Sequence, residues 1–181
     1  MKTLIIHPED YSTNFLKKIY APIKDATIIN GGITKRELEN LIIDHDRIMM
    51  MGHGTTNGLL SVGQFLNCNS YIIDNTLVNL LKEKENNIFI WCNADVFVEY
   101  HKLNGFYSGM FISEVSEANF FGINTDQEEI NESNYSFANF LTETINEDNT
   151  VIFENIKKNY GELTKKNKIA KYNNDRLYIH I

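Results

Sequence analysis

The sequence predicts an α/β fold, a three-layer sandwich with a mostly parallel central sheet, and three observations carry that expectation. Short, uninterrupted apolar runs recur along the chain, such as Leu4-Ile5-Ile6, Ile48-Met49-Met50-Met51 and Ile88-Phe89-Ile90-Trp91. They lack the apolar/polar alternation of a half-exposed strand, so both of their faces must be covered. The stretches between them carry apolar residues at helical spacing, which is the signature of βαβ units.

Taken in order, Leu4-Ile5-Ile6 is a first buried strand, and residues 13–20 form a helix with Phe15, Leu16, Ile19 and Tyr20 on one side. Thr27-Ile28-Ile29 is a second strand, closed by Gly31-Gly32. Thr34 stands three residues before Glu37, the spacing of a capping box, and opens a helix bearing Leu38, Leu41 and Ile42. Residues 47–51 make a third strand that ends at Gly52-His53-Gly54, its methionines serving as adaptable core filler. The polar, glycine-punctuated stretch 55–70 holds one short β segment at Gly58-Leu59-Leu60. Asp74 or Asn75 caps a helix carrying Leu77, Leu80 and Leu81. Residues 87–91 form a fourth strand that runs into Cys92, followed by a helix with Val96, Phe97, Tyr100 and Leu103. Met110-Phe111-Ile112 is expected as a fifth strand, 136–145 and 151–160 as helices, and 177–181 as a last, edge strand.

The chain of 181 residues suits one domain, 1–181, with a composition 43% hydrophobic and 23% charged, that of a globular protein. A net charge of −7 and a pI near 5.2 argue against nucleic acid as a general partner, and the lysines near residue 165 read as a solvated face. No apolar run reaches the ~20 residues of a membrane helix, and the first apolar run is too short for a signal peptide. Cys68 and Cys92 are therefore expected to be reduced thiols in a cytoplasmic protein. No Cys/His spacing suggests a zinc site, no glycine-rich phosphate loop occurs, and neither metal nor cofactor is expected.

In open α/β sheets ligands bind beyond the carboxyl ends of the strands. There the third strand delivers His53 and the fourth delivers Cys92. Were those strands neighbours, ~5 Å would separate their backbones. A thiolate is a strong nucleophile, an imidazole can take its proton and pass it to a leaving amine, and the next helix's N-terminus would favour the thiolate. The backbone N–H groups of Gly54 and Cys92 are candidates for an oxyanion hole. Cys68 is expected to be structural, and His7, His45, His101 and His180 to be surface or loop residues.

An apolar strand ending in His-Gly, followed by a second ending in Cys, resembles the caspase-like cysteine peptidases, a superfamily that includes caspases, legumains, gingipain- and clostripain-type peptidases, separases and CHAT domains. The blocks are Ile48-Met49-Met50-Met51-Gly52-His53-Gly54 and Ile88-Phe89-Ile90-Trp91-Cys92, and the similarity in order and spacing runs from about residue 3 to 122. The resemblance implies a caspase-like sandwich and a His–Cys dyad, with His53 as general base and Cys92 as nucleophile. It also implies hydrolysis of a peptide or protein substrate through a thioester acyl-enzyme. The run Gly109-Met110-Phe111-Ile112-Ser113-Glu114-Val115-Ser116 looks like the strand and loop that shape the specificity pocket, which makes Ser113, Glu114 and Ser116 candidate substrate-binding residues. A carboxylate there would favour Arg or Lys before the scissile bond. Trp91 stands where the family carries a small residue, so a narrowed cleft is expected. The main alternative is a catalytically silent relative that serves as a binding or regulatory module. A receiver- or flavodoxin-like domain lacks its signatures after the first strand.

Overall fold

The computed structural model describes Met1–Ile181. Its strands are β1 (Thr3–Ile6), β2 (Thr27–Ile29), β3 (Arg47–Met51), β4 (Gly54–Thr55), β5 (Gly58–Leu60), β6 (Tyr71–Ile73), β7 (Ile88–Ile90), β8 (Gly105–Ser108) and β9 (Leu177–His180). Six of them form one sheet in the order β2-β1-β3-β7-β8-β9, parallel except for β9, which pairs antiparallel with β8 at the edge. The remaining three, β4-β5-β6, make a small antiparallel sheet. The helices are α1 (Lys17–Tyr20), α2 (Lys35–Ile43), α3 (Val78–Lys82), α4 (Ala94–His101), α5 (Val115–Phe120), α6 (Gln127–Thr144), α7 (Asn149–Leu163) and α8 (Lys168–Asn174).

The period-two geometry of the strands divides the core into two layers. Leu4, Ile6, Ile48, Met50, Phe89 and Trp91 face α2, α3, α4 and the small sheet. Ile5, Met49, Met51, Ile88 and Ile90 face α1, α6, α7 and α8. Every residue of β1, β3 and β7 is buried, which is why these runs carry no alternation. Arg47, fully buried at the start of β3, is held by backbone carbonyls: its guanidinium donates to Asn86 O and Ile145 O, tying the end of α6 to the entrance of β7.

Several elements depart from expectation. The fifth parallel strand is Gly105–Ser108, and Met110-Phe111-Ile112 is a loop. Two contacts with the β7 segment choose that register. A side chain at Gly105 would collide with Asn87 O at 2.6 Å and the Phe89 ring at 2.7 Å, and the Ser108 hydroxyl donates to Trp91 O. Ile112 instead exchanges two hydrogen bonds with the Asn173 amide, which pins the loop to α8. The segment after β1 is a 3-10 turn over Tyr11–Leu16 before the single turn of α1. Helices α6 and α7 start earlier than their apolar periodicity, and α5, α8 and β6 are additions.

His7 and His45 are not surface residues; both are buried and bonded at both ring nitrogens. The His7 ring lies between Tyr20 Oη and Thr13 Oγ1, each at 3.0 Å. Burial, with Lys17 and His53 nearby, pushes its pKa down to about 4. The unfolded chain therefore takes the proton first. The stability contributed by neutral His7 is complete above about pH 6.5 and is lost as pH falls toward 4, with an upper bound of about 3 kcal/mol. Urea unfolding at pH 7.5 and 4.5 should show a larger loss for the natural chain than for His7→Gln. Equal losses would place the acid sensitivity elsewhere.

Candidate functional site

Parallel pairing of β3 with β7 sets the site. Met51 is in register with Ile90, and the Gly52 N–H donates to Ile90 O. His53 and Cys92 thus each stand two residues beyond a matched pair, on adjacent strands, at the carboxyl edge. Gly52 has φ 138°, open only to glycine, and this turns His53 off the strand line. Asn93 follows the thiol in the left-handed conformation at φ 66°, a role asparagine tolerates, and leads into α4.

The sheet order reverses direction between β1 and β3, so the loop after β1 leaves beside the one after β3. It brings Asp10 and Ser12 to the imidazole. Asp10 Oδ1 accepts from the Ser12 N–H at 2.9 Å and the Ser12 hydroxyl at 2.6 Å. The carboxylate is held below its usual range chiefly by the Ser12 hydroxyl. His53 Nε2 lies 2.8 Å from Ser12 Oγ and 3.3 Å from Asp10 Oδ1. Ser12 spends its only proton on Asp10, so its oxygen accepts from His53. In the neutral ring that network places the proton on Nε2 and the lone pair on Nδ1.

Cys92 lies at the other side of the same narrow cleft, which is lined by Thr13, Phe15, Phe111 and Ser113 and holds about 20 Å³, room for about one water. The thiol donates to Phe111 O at 3.4 Å, and Glu117 Oε1 stands 4.0 Å from the sulfur. Burial, reinforced by the Glu117 carboxylate, pushes the thiol up to about 11. At neutral pH Cys92 therefore rests protonated.

Trp91 lines the cleft, yet most of its bulk fills the core behind it. The residue is 1% exposed, packs edge-on against Phe89 and Phe97, and donates from Nε1 to Thr55 O at 3.1 Å. Its ring occupies the space a side chain at Gly54 would need. In the β4–β5 hairpin the Leu60 N–H donates to His53 O, and antiparallel alternation then leaves the Gly54 N–H outside the ladder. The Cys92 N–H takes no backbone partner either.

Of the proposed pocket residues, Ser113 lines the cleft, while Glu114 and Ser116 are exposed. The carboxylate brought to the thiol is Glu117. Its Oε2 accepts from the Ser113 and Glu114 N–H groups at the start of α5, which leaves Oε1 toward Cys92. Glu117 lies with Glu114 in the loop where the sequence places a pocket carboxylate, whereas Asp10 and Ser12 offer only their position just past a strand end as a signal. Both cysteines are free thiols, and no three His, Cys, Asp or Glu side chains gather as a metal-binding group. No family model matches this sequence, and no curated protein matches it. No helix is long and apolar enough to cross a membrane.

Proposed function

We propose that the chain is a caspase-like cysteine amide hydrolase acting on peptides or proteins, with Cys92 as nucleophile, His53 as base and Asp10–Ser12 as the pair that orients the base. The observation that carries this reading is the shared cleft: an imidazole with a fixed tautomer and a thiol reach it from adjacent strands, with an orienting carboxylate behind the imidazole.

In the first step the Cys92 S–H proton passes to His53 Nδ1 as the sulfur attacks the carbonyl carbon. The resulting oxyanion takes hydrogen bonds from the Gly54 and Cys92 N–H groups. Collapse breaks the C–N bond, the imidazolium protonates the departing amine, and a thioester remains. Water, deprotonated by His53, then attacks the thioester and releases a carboxylic acid and the thiol. The Asp10 charge stabilises the imidazolium through both half-reactions. Glu117 supports a preference for a cationic side chain near the scissile bond, which would also neutralise the charge that adds to burial in keeping the thiol protonated.

The second reading, a catalytically silent binding module, is favoured by the high thiol pKa and the small cleft volume. One experiment separates them. A peptidyl acyloxymethyl ketone should label Cys92 and spare Cys68 in the native chain, and His53→Ala should suppress the labelling. Labelling of neither thiol, or of both equally, would establish the silent module.

A further inference from the structure

Beyond the thiol, the turn Gly122-Ile123-Asn124 that follows α5 and one face of α8 line a second, open cleft of about 500 Å³, and two aromatics adjoin it. Phe120 is 84% exposed and Phe121 42%, an unusual loss of apolar burial for adjacent aromatics. Their rings meet edge-on at 5.2 Å, Phe121 continues to Tyr172 at 5.5 Å, and the Arg176 guanidinium lies 3.6 Å above the Tyr172 ring. The result is one continuous aromatic platform that ends in a cation.

The charges around it are unbalanced. Lys168, Lys171 and Arg176 line the cleft against a single carboxylate, Asp175, in a chain whose net charge is −7. None of the three cations forms an ion pair; Lys168 Nζ donates to Asn124 O and Arg176 to Tyr172 O. The platform is also wired to the thiol. Asn173, the residue after Tyr172, holds both backbone groups of Ile112, and the preceding carbonyl, Phe111 O, accepts from Cys92.

We propose that the cleft between the turn after α5 and α8, together with the adjoining Phe120–Phe121 pair, is a docking site for an acidic peptide segment whose carboxylates flank an apolar side chain. The apolar residue covers the Phe120–Phe121 pair, and the carboxylates meet Lys171 and Arg176. A single-stranded nucleic acid would also stack on aromatics beside cations, but its path runs into Asp126, Glu128, Glu129 and Glu132, which share Lys168 with this cleft. A short acidic segment stops before that barrier. That this segment belongs to the substrate rests on the hydrolase reading; that an acidic segment binds does not.

The test uses the full chain carrying Cys92→Ala and fluorescence anisotropy. The probe is a short labelled peptide with glutamates on both sides of leucine. The acidic peptide should bind and weaken with added salt. Lys171→Gln/Arg176→Gln should reduce its affinity by about tenfold, a change of the size expected for two exposed charge contacts. Phe120→Ser should weaken it severalfold while leaving the thermal unfolding midpoint unchanged. The proposal is overturned if a Gln-for-Glu peptide binds equally well, or if neither variant alters binding. Tighter binding of an oligothymidylate, or a concentration-dependent dimer that Phe120→Ser dissolves, would equally overturn it by naming another occupant. Binding that follows the prediction, with no electrophile labelling Cys92 in the natural chain, would leave the docking site standing and remove the hydrolase.

Discussion

His53→Ala is expected, under the proposed hydrolase mechanism, to lower the hydrolysis of a fluorogenic peptide pool by about 10²–10⁴, the range for loss of a general base, whereas Glu117→Gln is expected to lower the thiol's pKa and raise its reactivity. Wild-type Cys92, pushed up to about 11, is almost wholly protonated at pH 7.5. Of the two causes, burial survives the Glu117 change and the carboxylate's repulsion does not. A full charge 4.0 Å away from a buried sulfur is a strong interaction even at an effective dielectric near 20. Iodoacetamide alkylation of Cys92 at pH 7.5, in a Cys68→Ser background, should therefore accelerate by about tenfold or more in Glu117→Gln. Glutamine keeps a carbonyl oxygen for the Ser113 and Glu114 N–H groups, so the loop should hold. An unchanged alkylation rate would show that burial alone sets the thiol. A His53→Ala chain that hydrolyses as fast as the natural one would remove the imidazole from the chemistry.

Gly54→Ala should be among the most damaging small substitutions in the chain. The added Cβ would sit 2.1 Å from Trp91 Cδ1, 2.5 Å from Cγ and 2.7 Å from Gly58 O. The ring cannot swing aside, because Phe89 and Phe97 pack against it and its N–H is bonded to Thr55 O. Backbone retreat is blocked as well: Gly58 has φ 139° and faces Ile73 O so closely that no side chain fits there. Overpacking of this kind costs typically about 1–3 kcal/mol and here is expected at or above the top of that range. Chemical denaturation measures it directly. A second change, Trp91→Leu, should recover part of the loss in the Gly54→Ala background although it is destabilising alone. Additive losses in the double variant would refute the steric account.

Much of the frame was legible because it depends on local pattern. The uninterrupted apolar runs marked β1, β3 and β7 since strands covered on both faces need no polar positions. The Thr34/Glu37 spacing located the start of α2, where the two side chains and backbones do cap each other. The strand-end rule found His53 and Cys92 because a parallel sheet presents the same edge from every strand. What failed were decisions made by distant partners. Met110-Phe111-Ile112 has the composition of a strand, but Gly105's close approach to Asn87 and Phe89 fixed the register earlier, and Asn173, sixty-one residues away, captured Ile112. His7 looked like a loop residue until Tyr20 and Thr13 folded over it. The thiol's protonation and the choice of Glu117 over Glu114 were likewise set by tertiary structure. A helix turn decides which of two nearby carboxylates faces the sulfur, and burial, which sequence does not display, decides whether that sulfur carries a charge.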